Sequence, residues 1–152
     1  MPEQHPTTLV IFGASGDLTE RKLIPALYNL FRKERLSPEV KIVGASRTEF
    51  SDQAFRDHLE NGLKEYSAGT FQPEIWKTFS RRIHYTPTDL TRSEDYHQLD
   101  KLLSSLEESP SNRIYYLAIS PQFYQQTVEE LGKAGMAAEK ESSTGPWRPG
   151  RR

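Results

Sequence analysis

The chain has 152 residues, which suits one ordinary domain and leaves no room for a complete large two-domain enzyme. Its 20 basic and 21 acidic side chains give a formal net charge of -1, so composition gives no reason to expect a nucleic-acid partner. The absence of cysteine excludes disulfides, thiolate nucleophiles and thiolate metal sites. Without a secretory signal or a membrane-length apolar run, the sequence predicts a cytoplasmic protein with no membrane partner.

Short apolar runs alternate with amphipathic segments along the chain. Strands are predicted over residues 7–12, 40–46, 82–85 and 113–119. Apolar spacings of three and four predict helices over 18–32, 51–65, 93–106 and 121–135, and a short amphipathic segment over 75–79. Pro25 interrupts the first helical pattern, so that helix either begins near Leu23 or Ile24 or is kinked at the proline. The alternation is typical of a doubly wound, mostly parallel sheet with helices on both faces, which binds ligands at the carboxyl ends of its strands.

A glycine-containing turn follows the first predicted strand. Gly13 permits a tight turn, Gly16 allows a pyrophosphate to approach the backbone, and Ser15 adds a hydroxyl. Thr19 stands where a third glycine is common in dinucleotide-binding motifs. The alternative is a strand-to-helix turn that needs glycine only for its backbone angles.

An arginine follows the second predicted strand. NAD enzymes usually place an acidic residue there to bind the ribose 2′-hydroxyl, whereas an arginine suits the 2′-phosphate of NADP. Here Arg47 follows the strand, flanked by Ser46 and Thr48, and the first acid is Glu49. The sequence therefore predicts NADP as the cofactor, and the alternative is a solvated surface arginine.

Three segments together resemble the glucose-6-phosphate dehydrogenase family. They are Gly13–Leu18 with the following 21–30, then 42–47, and finally 112–121, in the family's order. The resemblance covers about 9–135. It implies a Rossmann-like coenzyme domain and oxidation of glucose 6-phosphate by NADP to 6-phosphogluconolactone, the first step of the oxidative pentose phosphate pathway. It also implies a homo-oligomer for full-length members, which is not expected of this shorter chain.

The resemblance also implies individual coenzyme contacts. They are the glycine loop and its extension, the arginine after the second strand, two residues after the third strand and a tyrosine after the fourth, namely Gly13, Ala14, Ser15, Gly16, Asp17, Leu18, Thr19, Glu20, Arg47, Asp89, Leu90 and Tyr124. For Tyr124 a simple packing role is the alternative. No catalytic residue is predicted, because His5, His58, His84 and His97 lack metal-ligand spacing or an adjacent carboxylate motif.

The carboxyl-terminal segment departs from the family. Its members continue with a strand and a Glu-Lys-Pro-Phe-Gly motif, whereas here Glu139-Lys140 is followed by Glu141 and the chain reads Pro-Gly-Arg-Arg at residues 149–152. We therefore expect a flexible start at 1–6, an NADP-binding domain at 7–138, and an irregular tail at 139–152 that reflects truncation or a frameshift, without the catalytic domain.

Two other functions are compatible with a fold of this class. The chain could be a coenzyme-binding sensor or partner module without catalysis. A Rossmann-type reductase or epimerase is disfavoured because none of the seven tyrosines is followed four residues later by lysine.

Overall fold

The computed structural model describes residues 6–107 and 111–136, which build one four-stranded parallel sheet flanked by helices. The strands are β1 (Thr7–Phe12), β2 (Lys41–Ser46), β3 (Ile83–Pro87) and β4 (Asn112–Leu117), in the spatial order β3-β2-β1-β4. The strand order reverses at β1, which has β2 on one side and β4 on the other. A doubly wound sheet opens a crevice at such a point, at the carboxyl ends of the strands.

Five α-helices connect or follow the strands. They are α1 (Ile24–Arg32), α2 (Asp52–Tyr66), α3 (Pro73–Ser80), α4 (Ser93–Leu106) and α5 (Tyr124–Lys133). Ser51 caps α2, since its hydroxyl accepts a hydrogen bond from the Ala54 N–H at 3.0 Å. Within the described residues, none of the helices has the length and apolar character to cross a bilayer.

The sheet separates two apolar cores, because successive side chains of a strand point to opposite faces. One core packs β1 and β2 against α1, α2 and α3, and its members include Ile11, Tyr28, Ile42, Phe55 and Phe79. The other packs the same strands against α4 and α5, and its members include Val10, Phe12, Val43, Tyr96, Leu99 and Leu131. The prediction of a parallel α/β sheet covered on both faces is confirmed.

The structure resolves the ambiguity at Pro25. A π-helical turn, Thr19–Leu23, precedes α1, and the Ile24 N–H donates to the Thr19 carbonyl five residues earlier. Pro25 is the second residue of α1, but residues 17–32 form one continuous helical run, so the proline lies inside it. The wider π turn directly before Pro25 is the local departure from α-helix at the point where the proline supplies no N–H.

Several predicted boundaries move by one or more residues, and the largest shifts are in the last two elements. The fourth strand ends at Leu117 rather than at residue 119, because the chain turns at Ala118 to pack against Gly13. The last helix begins with a 3₁₀ turn, Pro121–Phe123, and ends at Lys133, two residues before Gly135 with its positive φ of 75°. The expected tail at 139–152 and the first five residues lie outside the described residues, so the domain limits stay predictions.

Candidate functional site

The turn after β1 is fixed by the two neighbouring strands. The Gly13 N–H donates to the Ala45 carbonyl of β2, and the Ala118 N–H donates to the Phe12 carbonyl of β1, both at 2.9 Å. Gly13 has a φ of +83°, and a Cβ built there would lie 2.0 Å from the Ala118 carbonyl oxygen. The protein's own backbone therefore requires glycine at this position, whether or not a ligand binds.

Gly16 differs from Gly13. It is exposed, its φ lies outside the left-handed region, and a Cβ built there would meet a single atom of the described chain within 4 Å, the Gly13 carbonyl oxygen at 3.2 Å. Internal packing thus makes little demand for glycine here. An exposed glycine in this place leaves the backbone open to close approach by a phosphate.

Thr19 replaces the third glycine of the common motif with a side chain that ties the turn to the helix. It is fully buried, and its hydroxyl donates to the Gly13 carbonyl at 3.1 Å. The next residue, Glu20, lies over α2, where Gly62 makes room for it, because a Cβ at Gly62 would stand 2.6 Å from the Glu20 Cγ. The loop is therefore anchored both to its own turn and to α2.

Ser15 connects the glycine loop to the turn after β2. Its hydroxyl oxygen accepts hydrogen bonds from the Ser46 hydroxyl at 2.9 Å and from the Thr48 hydroxyl at 3.1 Å. A serine oxygen has two lone pairs and one proton, so these bonds occupy the acceptors and leave the proton to be donated. The structure thus brings the two sequence-predicted parts of the site together and leaves Ser15 a donor toward an anion.

Arg47 projects from the same turn. It is exposed, and within the described residues it makes no hydrogen bond or ion pair. Its charge is felt by Asp89, whose pKa lies below its usual value chiefly because the Thr91 hydroxyl and N–H both donate to the carboxylate, with a smaller contribution from Arg47. The guanidinium therefore remains available to a ligand at the carboxyl edge of the sheet.

The other predicted contacts are placed less centrally. The Asp89 carboxylate is already bonded to Thr91, and Leu90 packs against the second core while its carbonyl accepts from the Tyr96 hydroxyl at 2.9 Å. Tyr124 begins α5 and is 42% exposed, so its side chain is accessible to a ligand. The assignment of all three to the coenzyme stays a prediction.

Tyr85 was missed by the sequence reasoning. It lies on β3 opposite Gly44 of β2, and its hydroxyl lies within 3.0 Å of three oxygens in the turn that carries Arg47. The apolar run that predicted the third strand was short, and no pattern in it showed that this tyrosine does more than pack in the core.

Two of the three histidines of the described residues lie near carboxylates, and the third, His97, is exposed on α4. His58 Nε2 lies 3.3 Å from Glu20 Oε2, and His84 Nδ1 lies 3.3 Å from Asp52 Oδ2. In the part of the chain that the structure describes, no three His, Asp or Glu side chains gather as a metal site. His5 lies outside that part.

The strand order, the glycine turn after β1 and the anchored turn after β2 define a dinucleotide-binding domain of the Rossmann-like class. A family model described as glucose-6-phosphate dehydrogenase, NAD binding domain, matches residues 10–144. The chain belongs to this family.

Similar proteins agree with that assignment. The chain is 34% identical over 145 residues to a glucose-6-phosphate 1-dehydrogenase of Chlamydia pneumoniae, covering 93% of this chain and 28% of that protein. It is 37% identical over 134 residues to the enzyme of that name from Aggregatibacter actinomycetemcomitans, covering 86% of this chain and 27% of the relative. A solved glucose-6-phosphate dehydrogenase in complex with glucose 6-phosphate superposes with a TM-score of 0.77 at 28% identity, over 95% of this chain and 30% of that one. The chain thus spans less than a third of the length of these relatives.

Proposed function

We propose that this chain binds NADP at the carboxyl edge of its sheet and supplies the coenzyme-binding part of NADP-dependent oxidation of glucose 6-phosphate. The observation that carries the proposal is Arg47, an exposed arginine without a bonding partner in the described chain, on a turn bonded through Ser46 and Thr48 to the glycine loop. The two turns are neighbours, so a coenzyme whose pyrophosphate lies at Gly16 carries its adenosine ribose toward Arg47.

The charge of this edge favours a phosphate over a bare ribose. A planar guanidinium bonds a phosphate through two N–H groups at once, and the Ser15 proton adds a neutral donor beside the pyrophosphate. No carboxylate takes the place at the end of β2 from which an NAD enzyme binds the ribose 2′-hydroxyl, because Ser46 and Arg47 stand there. Contacts from Asp17, Leu18, Asp89, Leu90 and Tyr124 complete the proposed site.

The coupled activity follows from the family. The names of the relatives and the solved complex with glucose 6-phosphate support hydride transfer from carbon 1 of that sugar phosphate to the nicotinamide, giving NADPH and 6-phosphogluconolactone. The described residues account for the coenzyme half of that reaction. The alternative, a coenzyme-binding module without catalysis, predicts the same binding site and no role in turnover.

Calorimetric titration of the 152-residue chain with NADP and with NAD tests the coenzyme assignment. Arg47→Ala should weaken NADP binding by about 1.5–3 kcal/mol, toward the lower end because the side chain is exposed, and should leave NAD binding nearly unchanged. Arg35→Ala is the matched control, since Arg35 is also exposed but precedes β2 at the opposite edge of the sheet. Equal affinity for both coenzymes in the unaltered chain would refute the assignment.

A further inference from the structure

The turn that carries Arg47 is bonded to the Tyr85 hydroxyl, in addition to its bonds to Ser15 and to the Thr88 N–H, which donates to the Ser46 carbonyl at 2.7 Å. The Tyr85 Oη lies 2.6 Å from the Thr48 carbonyl oxygen, 3.0 Å from the Ser46 carbonyl oxygen and 2.6 Å from the Ser46 hydroxyl. These oxygens belong to the residues immediately before and after Arg47. The phenol therefore contacts both residues that flank Arg47, whose own side chain is exposed.

Tyr85 is itself held rigidly. Its ring is 6% exposed and packs against Phe55 at 4.6 Å and edge-on to Phe50 at 5.3 Å between ring centroids. Its backbone N–H donates to the Asp52 carboxylate at 2.8 Å, which connects β3 to the start of α2. The hydroxyl is thus the tip of a fixed side chain, and a fixed donor transmits its position to whatever it binds.

The hydroxyl remains a donor over the ordinary pH range. Burial raises the pKa of Tyr85 above its usual value, and the Ser46 hydroxyl only partly offsets this. Since the Ser46 proton is directed to Ser15, the single Tyr85 proton serves the oxygens around it, of which the Thr48 carbonyl at 2.6 Å is the nearer of the two carbonyls. Removing the phenol oxygen takes this donor from the Thr48 carbonyl, whereas the Ser46 carbonyl keeps the Thr88 N–H at 2.7 Å.

We infer that Tyr85 is a positioning residue for the 2′-phosphate of the coenzyme, acting through the Ser46–Thr48 turn on Arg47. The inference rests on the proposed function. It adds that selectivity for a phosphorylated ribose depends on a residue of β3 that does not touch the coenzyme. The glycine loop has its own anchors at Ala45, Ala118 and Gly62, so loss of the phenol should affect the phosphate end of the site more than the pyrophosphate end.

The test is Tyr85→Phe, which keeps the ring against Phe50 and Phe55 and removes only the hydroxyl. NADP should bind about tenfold more weakly, as expected for losing hydrogen bonds that order a charged contact, while NAD affinity changes by less than about twofold. Tyr28→Phe is the control, because Tyr28 is also a buried phenol bonded to backbone atoms, those of Gln72. It lies on α1 in the first core and, within the described residues, has no contact with the turn that carries Arg47 among its hydrogen bonds. It should leave the affinity for both coenzymes unchanged.

A double-mutant cycle with Arg47→Ala identifies the route of the effect. If Tyr85 acts through Arg47, Tyr85→Phe should cost NADP affinity nothing further once Arg47 is alanine. Equal weakening of NADP and NAD, full additivity in the cycle, or unchanged NADP affinity in Tyr85→Phe would each overturn the inference while leaving the coenzyme assignment intact. A wild-type chain that does not prefer NADP would overturn both, and that result is read before any Tyr85 variant is made.

Discussion

Substitution by alanine should lower the stability of the fold at Gly13 and the affinity for the coenzyme at Gly16. At Gly13 an added Cβ would lie 2.0 Å from the Ala118 carbonyl oxygen in a backbone conformation with φ of +83°. The left-handed conformation costs an L-residue roughly 1–2 kcal/mol, and forcing β1 and β4 apart by about 1 Å adds an overpacking cost of roughly 1–3 kcal/mol. Gly13→Ala should therefore reduce the free energy of unfolding by about 2–5 kcal/mol.

At Gly16 the same methyl group meets one atom of the described chain, the Gly13 carbonyl oxygen at 3.2 Å. The neighbour needs to give by only a few tenths of an ångström, so Gly16→Ala should change the free energy of unfolding by less than about 1 kcal/mol. The methyl group would nevertheless stand where the pyrophosphate approaches, and NADP and NAD should both bind at least about tenfold more weakly.

Urea denaturation followed by circular dichroism measures the first quantity, and calorimetric titration with both coenzymes measures the second. Gly16→Val, with a branched side chain, should abolish binding at concentrations where Gly16→Ala still shows it. The reasoning is refuted if Gly16→Ala keeps full coenzyme affinity with an intact fold, because the loop would then be a structural turn only.

Three further outcomes are expected. Arg113 forms two 2.8 Å bonds to the Glu107 carboxylate and one at 2.9 Å to Asp100. Arg113→Ala should lower the unfolding free energy by about 3–5 kcal/mol, because it leaves these carboxylates without their partner. A loss below about 1 kcal/mol in urea denaturation would contradict this. Burial raises the pKa of Tyr85, Tyr96 and Tyr115 above the usual value of 10.0 in the folded chain, so the stability they contribute is complete below pH 10 and falls as pH rises further. Replacing any of the three by phenylalanine should reduce the fall in unfolding free energy at alkaline pH, measured by denaturation. An unchanged dependence of the unfolding free energy on pH would argue against it. The 152-residue polypeptide should bind NADP but not reduce it with saturating glucose 6-phosphate, because the proposed site accounts for the coenzyme and assigns no residue to removing the proton of the sugar hydroxyl. NADPH absorbance that follows the protein through a second purification and disappears in Gly16→Val would show otherwise.

Periodicity predicted the elements that bury the most surface. β1 occupies the predicted residues, β2 begins one residue late, and α2 is shifted by one residue. These elements were predictable because a buried strand gives a short apolar run and an amphipathic helix gives apolar residues spaced by three and four. The end of β4 could not be predicted in this way. Ala118 and Ile119 continue the apolar run, and what stops the strand is the approach of Gly13 from a segment more than a hundred residues away in sequence.

The sequence predicted most residues of the candidate site but not which of them the fold itself requires or how they bond to one another. Both glycines match the motif, yet only the position of β4 shows that Gly13 is required by the fold and Gly16 is not. The sequence places the Ser46 and Thr48 hydroxyls beside Arg47, but it does not show that both donate to Ser15. Tyr85 needs the register of β2 against β3, which no local pattern contains.

The close packing of Glu20 against Gly62 affects which substitutions would be expected to impair coenzyme binding. Glu20 fills the space that any side chain at position 62 would occupy, with its Cγ 2.6 Å from a built Cβ. If the glycine loop binds the coenzyme as proposed, a screen for loss of coenzyme binding should recover substitutions at Gly62, more than forty residues along the chain from that loop. A map confined to residues that contact the ligand would miss them. Substitutions at the neighbouring Leu59 and Leu63 would lower the stability of the fold instead, because both are buried in the first core.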